Sequence, residues 1–402
     1  MSELQCVKFG DMAQQITTKV NPKDTSLNTY VGLEHLDTGS LRINRRGTPQ
    51  DVIGEKLRVC KGDIIFGKRR VYQRKIAIAD FDGICSAHAM VLRPKDDVID
   101  KEFFPFFMQS DLFMERALQI SVGSLSPTIN WKTLAEQEFS IPLLPEQHRI
   151  ATTLWAAEDC IVKGERFVAA AERAKQVLME ELFSKGIEHT EFEDLKDFGK
   201  VPSGWECKKL SDITELITKG ATPTSYGYKF QKSGITFVKI ESISENGTFL
   251  TDMFDFIDEE TNIALKRSIL EENDILFSIA GALGRVIIVN KKILPANTNQ
   301  AIAIIRLDKS AAVFLEYLKY YLTSPLIQEY IKSISITTAQ SNINLFHVRD
   351  FPILLPKREE QRQIAGILTR CDETIAAARE NVTAAKALKM KMINEMLSPG
   401  GS

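Results

Sequence analysis

The sequence predicts an α+β protein: two tandem globular units and two long α-helices that pair as an antiparallel coiled coil about a pseudo-two-fold axis. Two observations carry this. A hydrophobic ladder occurs twice, beginning at Ile150 and again 214 residues later at Ile364, with rungs alternately four and three residues apart. The same short motifs, in the same order, precede each ladder.

The first ladder is Ile150, Leu154, Ala157, Ile161, Gly164, Val168, Ala171, Lys175, Leu178 and Leu182. The second is Ile364, Leu368, Cys371, Ile375, Ala378, Val382, Ala385, Lys389, Met392 and Met396. Apolar residues at this spacing form one seam along a helix, and a seam this long marks a coiled coil rather than a core-facing stripe. The expected pairing residues are Ile150, Leu154, Ile161, Val168, Leu178 and Leu182 with Ile364, Leu368, Ile375, Val382, Met392 and Met396. The one strongly polar rung falls at the same step in both copies, Lys175 and Lys389, as common ancestry would leave it. At ~1.5 Å per residue each helix is roughly 60 Å long, more than one small unit needs for its own core. The alternative is that each helix packs separately on its own unit.

The remaining elements follow in order. Cys6, Lys8, Phe9, Asp11, Ile16 and Thr17 match Cys207, Lys209, Leu210, Asp212, Ile217 and Thr218 at one offset. Tyr30 to Glu34 and Phe237 to Glu241 alternate like strands. Gly62-Asp63-Ile64-Ile65-Phe66 and Asn273-Asp274-Ile275-Leu276-Phe277 each read as a turn and a short buried strand. A helical stretch follows each, Phe103 to Leu118 and Phe314 to Tyr330, then a polar segment ending in Ile129-Asn130 or Ile343-Asn344. The predicted domains are a first unit at 1–145, a long helix at 146–186 closing on Gly186, a second unit at 187–356 and a second long helix at 357–402. A charged linker, His189 to Lys200, opens the second unit.

A hydrophobic content of 44% and a charged content of 26% belong to an ordinary globular protein. No apolar stretch approaches a membrane span and residues 1–20 lack a secretory pattern, so a cytoplasmic protein without membrane partners is expected. The cysteines are scattered and contain no Cys-x-x-Cys pair, which suggests reduced, mostly buried thiols. The net charge of −2 does not advertise nucleic-acid binding. Between Arg42 and Lys75, however, eleven Lys or Arg face three acids. A solvated basic face is the plain reading of such a run; the duplication favours a function.

With both copies laid out, the chain resembles the specificity subunits of Type I restriction-modification systems over nearly its whole length. The resemblance rests on Ile141-Pro142-Leu143-Leu144-Pro145-Glu146-Gln147 leading into Ile150, and on Phe351-Pro352-Ile353-Leu354-Leu355-Pro356 leading through Glu360-Gln361 to Ile364. It rests also on Ser121 to Asn130 and Ile336 to Asn344. The resemblance implies two target-recognition domains that each read half of a split sequence in double-stranded DNA. It implies paired helices that set the separation and hold DNA adenine methyltransferase subunits, two per chain, with restriction or translocase subunits as further partners. It gives this chain no catalytic residues and no cofactor. One departure is that Pro145 meets Glu146-Gln147 directly, whereas three residues separate Pro356 from Glu360-Gln361, so the two helix starts are expected to differ.

Base edges are read by side chains with paired donors and acceptors, and phosphates are held by cations, hydroxyls and backbone amides. The run Gly67-Lys68-Arg69-Arg70-Val71-Tyr72-Gln73-Arg74-Lys75 offers all of these after a predicted strand. Arg69, Arg70 or Arg74 could grip guanine and Gln73 could address adenine, while Lys68 and Lys75 suit phosphates and Tyr72 stands among them. Arg45-Arg46-Gly47 adds a second basic loop. Ser121, Gly123 and Ser124 lie on a stretch that either brings backbone close to a phosphate or is a plain surface turn. The second unit's candidates are Thr218, Lys219, Thr222, Thr224 and Ser225, then Ser278 to Arg285, and Thr337, Thr338, Gln340, Ser341 and Asn342. This set is less basic and should lean on Gln300, Gln340, Asn342 and hydroxyls.

Gly62 to Lys68 fits Gly-x-x-x-x-Gly-Lys, but Arg69 follows where a phosphate loop needs Ser or Thr. No proline is followed by another, so the (Asn/Asp)-Pro-Pro-(Tyr/Phe) loop of adenine methyltransferases is missing. No His-Glu-x-x-His occurs, and no metal site is expected. The cluster Phe103, Phe104, Phe106, Phe107 and Phe113 reads as core rather than as a base-stacking platform. The expected function is a non-catalytic DNA-reading subunit; the alternatives are a DNA-modifying enzyme of unfamiliar motif and a coiled-coil assembly adaptor.

Overall fold

The computed structural model describes residues 3–195, 198–338 and 342–397, the side chains of 335–338 excepted. The chain divides into two compact units, Met1–Phe167 with Ala378–Ser402, and Val168–Ala377. The division falls inside the long helices Leu144–Lys185 and Arg358–Leu397, so each unit holds one globular domain and a stretch of both helices.

In the first unit the strand Leu4–Lys8 pairs antiparallel with Glu138–Pro142, tying the start of the domain to the residues that lead into its helix. A four-stranded antiparallel sheet runs in the order Ala13–Ile16, Met90–Pro94, Ile64–Phe66, Ile76–Ile78. A second sheet holds Lys19–Val20, Lys56–Val59, Gly83–Cys85 and Tyr30–Val31, the last pair parallel. The five phenylalanines of the predicted cluster are fully buried, and Phe9 packs on them with its ring 5.3 Å from that of Phe113.

The second unit repeats the plan. Glu206–Lys209 pairs with Pro352–Leu355, and an antiparallel sheet runs Thr214–Lys219, Ile302–Leu307, Ile275–Ser278, Val286–Ile288. A three-stranded sheet holds Asp255–Ile257, Ile235–Val238 and Ala296–Thr298. Part of the expected linker is instead a hairpin, Phe192–Leu195 with Gly199–Pro202.

The matched turn-and-strand motifs are each built on one buried aspartate paired with an arginine. Gly62 and Asn273 both take left-handed backbone, φ +92° and +73°. The next residue, Asp63 or Asp274, is buried and accepts two bonds from an arginine of the adjacent strand, Arg93 at 2.7 and 3.0 Å or Arg306 at 2.7 and 2.8 Å. A backbone amide, of Cys60 or Glu271, fills a further position on each carboxylate. A buried charge survives only when so satisfied, and the Ile64–Phe66 segment after it is the strand read from the sequence, where the phosphate-loop match fails.

Further expectations need correcting. The helical stretches Phe103 to Leu118 and Phe314 to Tyr330 are each two helices, Phe104–Gln109 with Asp111–Gln119 and Leu315–Thr323 with Pro325–Thr338. Ser110 and Ser324 stand at the corners in extended backbone, and each donates its hydroxyl to a carbonyl three residues back at 2.6 Å. Serine offers the chain this local alternative to continued helix, and Pro325 holds Ser324 there. The cysteines are less buried than expected: Cys85 is enclosed and burial pushes its thiol up to about 12, but Cys6, Cys160 and Cys207 are exposed.

The helix starts, expected to differ, are alike. Gln147 donates to Pro142 O at 2.9 Å and accepts from Asp100 N at 2.8 Å; Gln361 donates to Pro356 O at 2.8 Å and accepts from Phe314 N at 2.8 Å. The true counterpart of Pro356 is therefore Pro142, not Pro145. Both glutamines are buried and act as clamps between domain and helix.

Within each unit the two helices run antiparallel. In the first, Glu158 meets Lys389 at 2.7 Å and Glu165 meets Lys386 at 2.7 Å, while a side chain on Gly164 would stand 2.6 Å from Val382. In the second, Lys175 meets Asp372 at 2.5 Å, and the Tyr320 hydroxyl donates to Asp372 at 2.8 Å. Burial lifts the Tyr320 phenol above its ordinary value and lowers that of the neighbouring Lys319 ammonium. Ile150, Leu154, Ile161, Leu182, Ile364, Leu368 and Ile375 are buried; Val168 and Val382 are half-buried. Near the C-terminal end of each helix the buried stripe moves on by one residue. Met179 and Phe183 are enclosed where Leu178 is half-buried, and Ile393 and Leu397 are enclosed where Met392 and Met396 are half-buried. A 3.5-residue ladder drifts ~20° per heptad against a 3.6-residue helix, so over its length it slips by about 90°, close to one residue.

Candidate nucleic-acid interface

The two stretches of the first unit proposed from sequence come together. Gly67 N donates to Lys75 O at 2.9 Å and closes the hairpin loop between the strands Ile64–Phe66 and Ile76–Ile78. Inside it, Arg70 and Arg74 take left-handed backbone on either side of the turn Val71–Gln73, which buried Val71 pins to the core. The Ser121 to Thr128 stretch is a second hairpin: Val122 and Thr128 exchange backbone bonds at 3.0 Å, and Gly123 turns at φ +113°. Arg70 N donates to Pro127 O at 2.8 Å and Ile129 N to Lys68 O at 3.0 Å, joining the loops into one surface.

On that surface the cations differ in availability. Among the described residues Lys68, Arg69 and Arg70 form no ion pair; Arg69 touches only His88 at 3.4 Å and Arg70 only Ser126 at 3.5 Å by side chain. Arg74 turns inward to Asp111 at 2.6 Å and Gln109 O at 2.9 Å, and Lys75 to Leu33 O at 2.6 Å. These two hold the loop to its domain. Gln73 is half-buried and Tyr72 exposed. Arg45 pairs with Asp37, and Arg46 with Asp80 at 2.6 Å while lying over the Phe81 ring. Both pairs are exposed, where ion pairing is weak and a phosphate can compete. Ser121 donates to Leu118 O, whereas Ser124 is exposed.

The second unit keeps the same join, Ile343 N donating to Ile279 O at 3.1 Å. Three of its proposed contacts are corrected. Thr218 is buried in its strand, and Ser278 is fully buried, accepting Arg285 N at 2.7 Å to brace the following loop. Arg285 also turns inward, donating to Ile243 O at 2.5 Å. The exposed polar surface lies instead on the turn Pro223–Tyr226, where Thr224 and Ser225 face solvent beside half-buried Lys219. Gly220 packs so closely on Thr298 O that no side chain fits, and Thr222 donates to Gln300 Oε1. This bond ties the exposed Gln300 side chain to the turn. Asn342 is exposed; Gln340, Ser341 and the side chains of Thr337 and Thr338 lie outside the described residues.

The sequence profile of the Type I restriction modification DNA specificity domain matches residues 1–165 and 202–384. The chain belongs to that family. Among curated members of this specificity family, it is 25% identical to the putative type I restriction enzyme MjaX specificity subunit of Methanocaldococcus jannaschii, over 98% of this chain and 91% of that one. It is 22% identical to the HindI specificity subunit of Haemophilus influenzae over 95% and 96%. A solved chain reported under complex assembly and conformational transition of the type I R-M system shares the fold with a TM-score of 0.62 at 21% identity, covering 98% of both chains.

Sequence reasoning missed the acids Glu158 and Asp372 opposite the matched lysines. Their signal was present, since they too stand 214 residues apart. It also missed that Arg74, Lys75 and Arg285 are spent inside their domains, for which the sequence carries no signal. Among the described residues no His, Cys, Asp and Glu are grouped to hold a metal, and no helix is long and apolar enough to cross a membrane.

Proposed function

We propose that the chain is a non-catalytic, sequence-specific DNA-binding subunit that reads a bipartite target and directs partner methyltransferase and restriction subunits to it. The observation that carries this is the loop join made twice, Ile129 on Lys68 and Ile343 on Ile279, each in a specificity-family domain that leads into a long helix. In the first half-site Arg69 and Arg70 address bases and Lys68, Ser124 and the Arg45-Arg46 loop address phosphates. In the second, Gln300, Thr224, Ser225 and Lys219 do so, aided by Asn342 and its neighbours. The long helices act as the spacer and the seat for two methyltransferase subunits per chain, in the cytoplasm where the DNA lies.

The test is reconstitution with the partner adenine methyltransferase, followed by mapping of methylated adenines in random DNA. Methylation confined to one split sequence, and absent without this chain, is the expected result. Turnover by the purified chain alone with S-adenosylmethionine or a metal would favour an enzyme. No DNA binding by chain or complex at any salt concentration would leave an assembly adaptor.

A further inference from the structure

Leu125 stands near the tip of the Ser121 to Thr128 hairpin and is 90% exposed, with Val122 on the same hairpin 78% exposed. An aliphatic side chain in water forgoes the stabilisation that burial would give. Two of them on one short hairpin mark a contact surface. The hairpin is braced rather than loose, held by its own Val122–Thr128 bonds and by those from Arg70 N and to Lys68 O. Its neighbours decide the class of partner. Lys68, Arg69 and Arg70, without ion pairs among the described residues, favour a polyanion over the apolar groove of another protein. Among base edges in the major groove the apolar feature is the thymine methyl.

We propose that Leu125 is a specificity-determining residue that packs on a thymine methyl group in the half-site read by the first unit, beside the base contacts of Arg69 and Arg70. This rests on the DNA-reading function proposed above. In the second copy Ala339 occupies the same offset and lies outside the described residues, so the long aliphatic contact belongs to one half-site.

The experiment uses the full chain with its methyltransferase partner, titrated on duplexes in which each thymine of the first half-site is replaced in turn by uracil. Uracil removes one methyl group and leaves base pairing and the hydrogen-bonding edge intact. One position should weaken wild-type binding by roughly fourfold, the worth of one buried methyl. Leu125→Ala should weaken the thymine duplex at least as much and then be indifferent to uracil there; Leu125→Met should keep the discrimination. Additive losses, no uracil-sensitive position, or a first half-site without thymine on either strand overturn the assignment while wild-type binding keeps the DNA-reading function. Failure of the wild type to bind a split target overturns both. Loss of methyltransferase capture by Leu125→Ala, with thymine–uracil discrimination unchanged, would make the tip a protein contact and overturn the proposal as well.

Discussion

Lys389 and Glu158 form an ion pair at 2.7 Å with their side chains only 2% and 4% exposed. Lys389 also donates to Gly39 O at 3.1 Å, so one ammonium joins the helix pair to a loop of the first domain. The second unit makes the equivalent bond from Lys175 to Asp372, with the roles of the two helices exchanged.

Removing Lys389 alone should be costly, because it strands a buried carboxylate. Lys389→Met is expected to lose about 3–5 kcal/mol of stability, and Lys389→Met with Glu158→Leu to recover most of that. Lys175→Met should cost under about 1 kcal/mol, since Asp372 is 41% exposed and solvent screens it. Denaturant midpoints of the four proteins decide it; equal midpoints for the single Lys389 variant and the double variant would remove the buried pair from the account.

The paired glutamines should matter equally. Gln147→Leu strands the Asp100 amide and the Pro142 carbonyl, and Gln361→Leu strands the Phe314 amide and the Pro356 carbonyl. Each substitution should cost about 2–4 kcal/mol in thermal or denaturant unfolding. A loss below half of the lower figure would mean that water replaces the clamp.

At the proposed reading surface, Arg69→Ala with Arg70→Ala should relax base choice in one half-site by about 1–3 kcal/mol per lost base contact. Competition binding against DNA substituted in either half measures this. A uniform loss across both halves, with a shallower salt dependence, would make these arginines phosphate contacts.

Arg285 offers the contrast. Because its guanidinium serves the Ile243 and Ile240 carbonyls, Arg285→Ala should lower unfolding stability by about 1–3 kcal/mol and leave base choice unchanged. A shift in second-half-site preference without a change in stability would return Arg285 to the DNA-facing set.

Lengthening one long helix by four residues adds ~6 Å, nearly two base-pair steps at ~3.4 Å. Methylation mapping should then find the gap between half-sites longer by about one or two base pairs. An unchanged gap would count against the helices as rulers.

Much of the architecture was legible because it is periodic or repeated. Ile150 to Leu182 and Ile364 to Met396 announced the helices through spacing alone, and the Asp63 and Asp274 motifs announced their strands. The serine corners at Ser110 and Ser324 were not legible, since an apolar run reads as helix through a residue that bends it. The candidate site was half legible. Both hairpins of the first unit were found as segments, but nothing in their residues says that Arg70 N reaches Pro127 O, or that Arg74 turns to Asp111 while Arg69 has no ion pair among the described residues.

By itself the sequence determined the duplication, the order of strands and helices, the seam and its matched lysines, because these depend on spacing along the chain. Only the tertiary structure decided which acid faces each lysine, which arginines remain available to a ligand, and where the seam slides by one residue. Those outcomes depend on distances between segments far apart in sequence, and on the mismatch between a 3.5-residue pattern and a 3.6-residue helix.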